Sequence, residues 1–153
     1  RSSDLALFSL STVAAVPKGW QTGEAPGMKA FWTHESIAGS SIGVTEETDV
    51  YNLTAFKEDI YISELADVRS FLHNLMGVEK WTIDKHQVTR GARDVVLTIE
   101  GSYLRGGEIP VRFCERHEFT ATRFQQTQLI TPTASLERLA PQGCVALLQE
   151  VKP

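Results

Sequence analysis

The stretch Arg93-Asp-Val-Val-Leu-Thr-Ile-Glu-Gly-Ser-Tyr-Leu-Arg-Gly-Gly-Glu-Ile-Pro-Val-Arg-Phe-Cys-Glu-Arg-His-Glu-Phe119, continued as far as Thr131, alternates apolar and polar residues with one main break at Gly106-Gly107. Side chains two apart on a strand share a face. Val95, Leu97, Ile99 and Tyr103 therefore form one face, interrupted by Gly101, and Val111, Phe113 and Phe119 form the next, with Glu115 and His117 between them. The glycine pair supplies the positive φ angles that a tight hairpin needs. A third strand runs from Phe124 to Ile130, its outward positions mostly Gln and Thr, and Pro132 ends it by removing a ladder donor. Trp81 to Val88 forms a further strand, joined through a turn at Arg90-Gly91-Ala92. The run is an antiparallel meander.

Working outward, one helix precedes it, over 63–76. Leu65, Val68, Leu72 and Leu75 are spaced three, four and three apart and form a single apolar stripe. Ser63 is placed to cap its N-terminus, Glu64 and Asp67 suit the positive end of its dipole, and Gly77 closes it as a left-handed cap. The stripe is expected to bury on the sheet, leaving Asp67, Arg69, Ser70, His73 and Asn74 in solvent. Earlier in the chain the signals are shorter. Leu5 to Val16 reads as a strand, Val16 to Trp20 as a turn into another, Met28 to Thr33 and Ile42 to Thr45 as two more, and Glu46 to Asp49 as a loop. The fold class is α+β, an antiparallel meander with one main helix packed on it and a short C-terminal element, in a single domain over 1–153.

Composition narrows the function classes. The 153 residues carry a net charge of −4, with 42% hydrophobic and 22% charged residues, ordinary values for a globular domain. No basic run interleaved with aromatics points to nucleic acid, and no stretch reaches the ~20 apolar residues of a membrane helix. The two cysteines, Cys114 and Cys144, fit one disulfide in an oxidising compartment or two free thiols in a reducing one. A bridge would tie the tail of the chain onto the sheet.

The catalytic constellations each meet a simpler reading. Cys114 and His117 are three apart on a strand and so point to opposite faces, which argues against both a metal site and a nucleophile–base pair. Glu100, Glu108, Glu115 and Glu118 are scattered among Arg105, Arg112 and Arg116, as cross-strand ion pairs on a solvated face would be. His117 reads as part of a polar cluster at the sheet rim. No phosphate loop or nucleophile elbow is present, and Asn52-Leu53-Thr54 matches a glycosylation sequon. The reading assigns no catalytic residue, no metal ligand and no cofactor. Trp20, Trp32 and Trp81 are candidates for a contact surface, since aromatics concentrate binding energy at interfaces. Tyr103, Glu115 and His117 are candidates for a pocket between sheet and helix, because there polar residues interrupt an apolar face.

Val16-Pro17-Lys18-Gly19-Trp20, followed by short strands, one helix, a long meander with a Gly-Gly hairpin and a tail at Ser135 to Leu139 and Cys144 to Val151, resembles the PsbP/Mog1/DcrB-like family. The resemblance implies an antiparallel sheet flanked by helices and a non-enzymatic accessory or assembly role, with no family-wide catalytic residues. With no catalytic constellation, a sheet with one polar face and two cysteines placed for one possible bridge, the expectation is a module that binds a protein partner, extracytoplasmic (periplasmic, lumenal or secreted), with Cys114 and Cys144 as a possible disulfide. Two alternatives stand beside it: a small-ligand binder or enzyme with a pocket between sheet and helix, and a cytosolic GTPase-associated factor. Oligomeric state is left open.

Overall fold

The alternating run becomes three long strands joined by tight turns. The computed structural model describes residues 15–153; most of the strand expected over Leu5 to Val16 lies outside them. In chain order the elements are β1 (Trp20–Thr22), β2 (Ala30–His34), β3 (Ser41–Thr48), a 3-10 turn (Leu53–Ala55), α1 (Glu58–Leu75), β4 (Glu79–Arg90), β5 (Val95–Arg105), β6 (Ile109–Phe119), β7 (Arg123–Pro132), a second 3-10 turn (Thr133–Ser135), α2 (Leu136–Leu139) and α3 (Cys144–Gln149). All seven strands join one antiparallel sheet in the order β1-β2-β3-β7-β6-β5-β4. The fold is α+β, with one main helix and short C-terminal helices.

The order explains where α1 lies. β3 pairs with β7, yet the next strand, β4, is the far edge. The connection through α1 must therefore cross the sheet over β7, β6 and β5. The hairpin at Gly106-Gly107, both at positive φ, sets Glu100 opposite Cys114 and Ile99 opposite Glu115. That register divides the sheet into two apolar faces. On one, Leu97, Ile99 and Phe113 pack with Tyr61, Ile62 and Leu65 of α1 and with Trp81. On the other, Trp32, Ile42, Val44, Cys114 and Leu129 pack with Leu139, Leu147, Leu148 and Val151 of the C-terminal segment. Each of the fully buried aliphatic side chains contributes roughly 1.5–3 kcal/mol of transfer free energy. Gly101 sits where an added Cβ would lie 2.3 Å from the Phe113 ring and 2.2 Å from the Thr82 carbonyl oxygen, which is why the β5 face is interrupted there.

Three expectations need correction. The helix starts at Glu58, not Ser63; Lys57 precedes it without a side-chain cap, and Ser63 lies inside. Its end is as read: Gly77 has φ +73°, and the Val78 N–H donates to the His73 carbonyl and the Gly77 N–H to that of Asn74, a Schellman closure. Glu46 to Thr48 continue β3 instead of forming a loop, because they pair with Arg123 to Gln125 of β7 and Glu46 accepts hydrogen bonds from Gln125 and from Lys29, just before β2. The Gln and Thr side chains of β7 do not face solvent, since Gln125, Thr127 and Thr131 are buried on the face of the C-terminal helices. Among the described residues no helix is long and apolar enough to cross a membrane.

Candidate functional site

Glu115 and His117 stand at the middle of β6, under α1, and neither has exposed surface. His117 does stand in a polar cluster, as expected, but neither at the sheet rim nor with Glu115 on a solvated face: the helix that crosses the sheet covers them. Arg69 of α1 reaches down and grips Glu115 with both terminal nitrogens, at 2.6 and 2.8 Å. Gln128 of β7 donates to the same carboxylate at 2.8 Å, and His117 Nε2 lies 2.7 Å from it. His117 Nδ1 lies 2.6 Å from the Tyr61 hydroxyl, also on α1. With Nε2–H donating to Glu115, Nδ1 accepts the tyrosine proton, and every member of the chain is satisfied.

Burial pushes the Glu115 carboxyl up, but the hydrogen bonds from Arg69 and His117 outweigh it and hold the group well below the usual carboxylate range. Burial, then the Glu115 charge, pushes the Tyr61 hydroxyl up. The order Tyr61–His117–Glu115 has the connectivity of a nucleophile, base and orienting acid. The bond from the half-buried Tyr61 to His117 also ties α1 to the sheet. Glu115 and His117, candidates for a pocket between sheet and helix, lie buried there and bonded to Arg69 and Tyr61 of α1. Tyr103 stands apart from the network, stacked near Phe113 at 6.4 Å and beside His73.

The network inverts the expected orientation of α1. Tyr61, Ile62, Leu65, Arg69 and His73 are turned toward the sheet and partly buried. Of the predicted stripe only Leu65 does so; Val68, Leu72 and Leu75 are exposed, with Phe71 and Met76 beside them. These five are spaced i, i+3, i+4, i+7 and i+8, one face of a helix. Phe71, Leu75 and Met76 expose 65%, 73% and 74% of their surface. The three tryptophans form no common surface. Trp32 is buried among the C-terminal helices, Trp81 stacks on Phe113 under α1 at 5.2 Å, and Trp20 is half-buried on β1 with its ring edge to His34.

On the opposite face the two cysteines meet. Cys114 and Cys144 are both buried and both free thiols. The tail is thus brought onto the sheet at the two cysteines, and of the two readings of the pair the structure has the thiols. Glu100, the cross-strand neighbour of Cys114, joins them: the two Sγ atoms and a carboxylate oxygen lie within 4.8 Å of one another, and the Cys144 thiol donates to Glu100 Oε1 at 3.4 Å. The Cys144 hydrogen bond, then burial, pushes the Cys114 thiol up.

The open antiparallel sheet, its crossing helix and the helical tail have solved counterparts. The cyanobacterial PsbP (CyanoP) of Synechocystis sp. PCC 6803 superposes with TM-score 0.66 at 12% identity, over 88% of this chain and 82% of that one. LpqN, involved in cell envelope biogenesis of Mycobacterium tuberculosis, does so with TM-score 0.57 at 12% identity, over 92% and 83%. The fold is PsbP-like. No protein-family model and no curated relative matches this sequence. The pentapeptide that carried the resemblance has a structural role in this PsbP-like fold. Gly19 has φ +98°, and a Cβ there would stand 2.8 Å from the His34 ring. The turn thus lets Trp20 start β1 against His34, while Val16 packs on the core.

Arg69, Tyr61 and Glu100 were missed as site residues. A signal existed for one of them. Pairing outward from the Gly106-Gly107 turn puts Glu100 beside Cys114. Nothing local marked Arg69 or Tyr61, because their role comes from where α1 crosses the sheet.

Proposed function

We propose that this chain is a non-catalytic accessory module that holds a protein partner on the open face of α1, outside the cytoplasm. One observation carries the reading: Val68, Phe71, Leu72, Leu75 and Met76 form a continuous apolar helix face turned to solvent. A helix whose sheet side is held by an ion pair is free to give its apolar side to another molecule. The occupant is defined by charge. Glu64 and Asp67 flank the N-terminal half of this face, and the nearest basic group, Arg69, is turned inward and spent on Glu115. The partner presents an apolar ridge with a basic side chain at one end. The PsbP-like fold supports an accessory role, and the likeness to LpqN, involved in cell envelope biogenesis, supports the compartment.

The test is a photo-reactive residue at position 71 in the living source cell. The expected result is one heterologous adduct, lost in L75D, whose purified partner binds the wild-type chain at least tenfold tighter than L75D. A self-adduct, or a partner indifferent to L75D, overturns the reading.

A further inference from the structure

We propose that Glu100, Cys114 and Cys144 bind a thiophilic divalent cation of the zinc class, with its fourth position open to a cleft. The site lies on the sheet face opposite α1, apart from the partner surface, and a bound ion would keep the two buried sulfurs from bridging outside the cytoplasm. Three ligand types suited to zinc converge from three elements: the carboxylate from β5, one thiol from β6 and one from the first turn of α3. A tetrahedral zinc ion holds sulfur at about 2.3 Å and oxygen at about 2.1 Å, which places two sulfurs about 3.8 Å apart and sulfur and oxygen about 3.6 Å apart. The ligand atoms here all lie within 4.8 Å of one another, and Cys144 Sγ is 3.4 Å from Glu100 Oε1. Closing on an ion needs only small side-chain rotations.

Charge points the same way. Binding replaces two thiol protons by one divalent ion, so two protons leave and the two thiolates and one carboxylate around the ion sum to one net negative charge. Lys85 is already in place to offset it, with Nζ 3.8 Å from Glu100 Oε2. Beside Glu100 and Cys144 opens a cleft of about 280 Å³ lined by Lys85, Thr98 and Gln142. Three protein ligands and an open side are the arrangement of zinc sites that keep a water or a small anion in the fourth position. His117, three residues along from Cys114, is on the other face and takes no part in the site. The ligand partners come from across the strand and from the tail.

The experiment titrates the reduced full-length chain with Co²⁺ and, separately, Cd²⁺ alone. The expected result is one ion per chain, a thiolate-to-metal charge-transfer band, and proton release that makes the affinity rise with pH. C144S weakens binding at least tenfold and removes about half of the band, and E100Q weakens binding at least tenfold with the band retained. E100Q decides even if a cysteine variant fails to fold, because Glu100 is only half-buried at the cleft. Stoichiometric binding without a band, or binding unchanged in C144S and E100Q, overturns the proposal. So does recovery of the chain from its own cell with the two sulfurs bridged.

Discussion

Glu115 accepts four hydrogen bonds while having no exposed surface: two from Arg69, one from Gln128 and one from His117. Moving a carboxylate and a guanidinium out of water costs several kcal/mol per ion, and only a fully satisfied arrangement offsets it. Breaking it is therefore expensive. R69M is expected to destabilise the fold by about 3–5 kcal/mol, and R69M/E115L to recover most of that, read from urea midpoints. The same group sets the acid limit. The folded carboxyl lies below its unfolded value of about 4.3, so its contribution is fully present above that pH and is lost as pH falls toward the folded value. Wild-type stability is expected to drop below about pH 4, and R69M/E115L to lack that part of the drop. That polar residues break the apolar face of β6 was legible from alternation. Their partners on α1 were not, because Arg69 and Tyr61 lie on a distant segment with no spacing that ties them to β6.

At the scale of the element, α1 shows what periodicity can and cannot settle. Leu65, Val68, Leu72 and Leu75 do share a stripe, and the period correctly announces a helix. Yet α1 has apolar residues around much of its circumference, from Ile60, Tyr61 and Ile62 to Phe71 and Met76. Which arc faces the sheet is then decided by what the sheet offers. β6 and β7 offer a carboxylate, an imidazole and the amides of Gln126 and Gln128, so the arc with Arg69 and Tyr61 is drawn in and the arc of Val68, Phe71, Leu72, Leu75 and Met76 is left out. F71D/L75D is accordingly expected to change stability by no more than about 0.5 kcal/mol, as surface substitutions do. L65A, on the packed side, is expected to cost about 2 kcal/mol. Equal and large losses in both, by thermal or urea unfolding, would place the stripe back on the sheet.

Across the whole molecule, the meander and its hairpin register were readable because each rests on local chemistry, namely alternation, two glycines and a proline. The strand order was not. Nothing near β3 indicates that it pairs with β7, eighty positions away in places; the Ile42–Leu129 and Val44–Thr127 neighbours are brought together by the shared core of the C-terminal helices. The two sheet faces then take different work. One is clamped by charge under α1, and the other is closed by Leu139, Leu147, Leu148 and Val151 around the thiol pair.

The pairing of Ala15 with Lys152, through hydrogen bonds of 2.6 and 2.7 Å, has a topological consequence. Ala15 and Lys152, near the two ends of the described residues, are thereby held side by side, so the order in which the sheet is threaded is separable from its shape. A circular permutant, with Lys152 joined to Ala15 by a short glycine linker and new ends opened between the exposed Gly106 and Glu108, is expected to refold with the wild-type near-ultraviolet dichroism. Loss of that signal would mean that the backbone break in the central hairpin, and not the proximity of the ends, governs assembly.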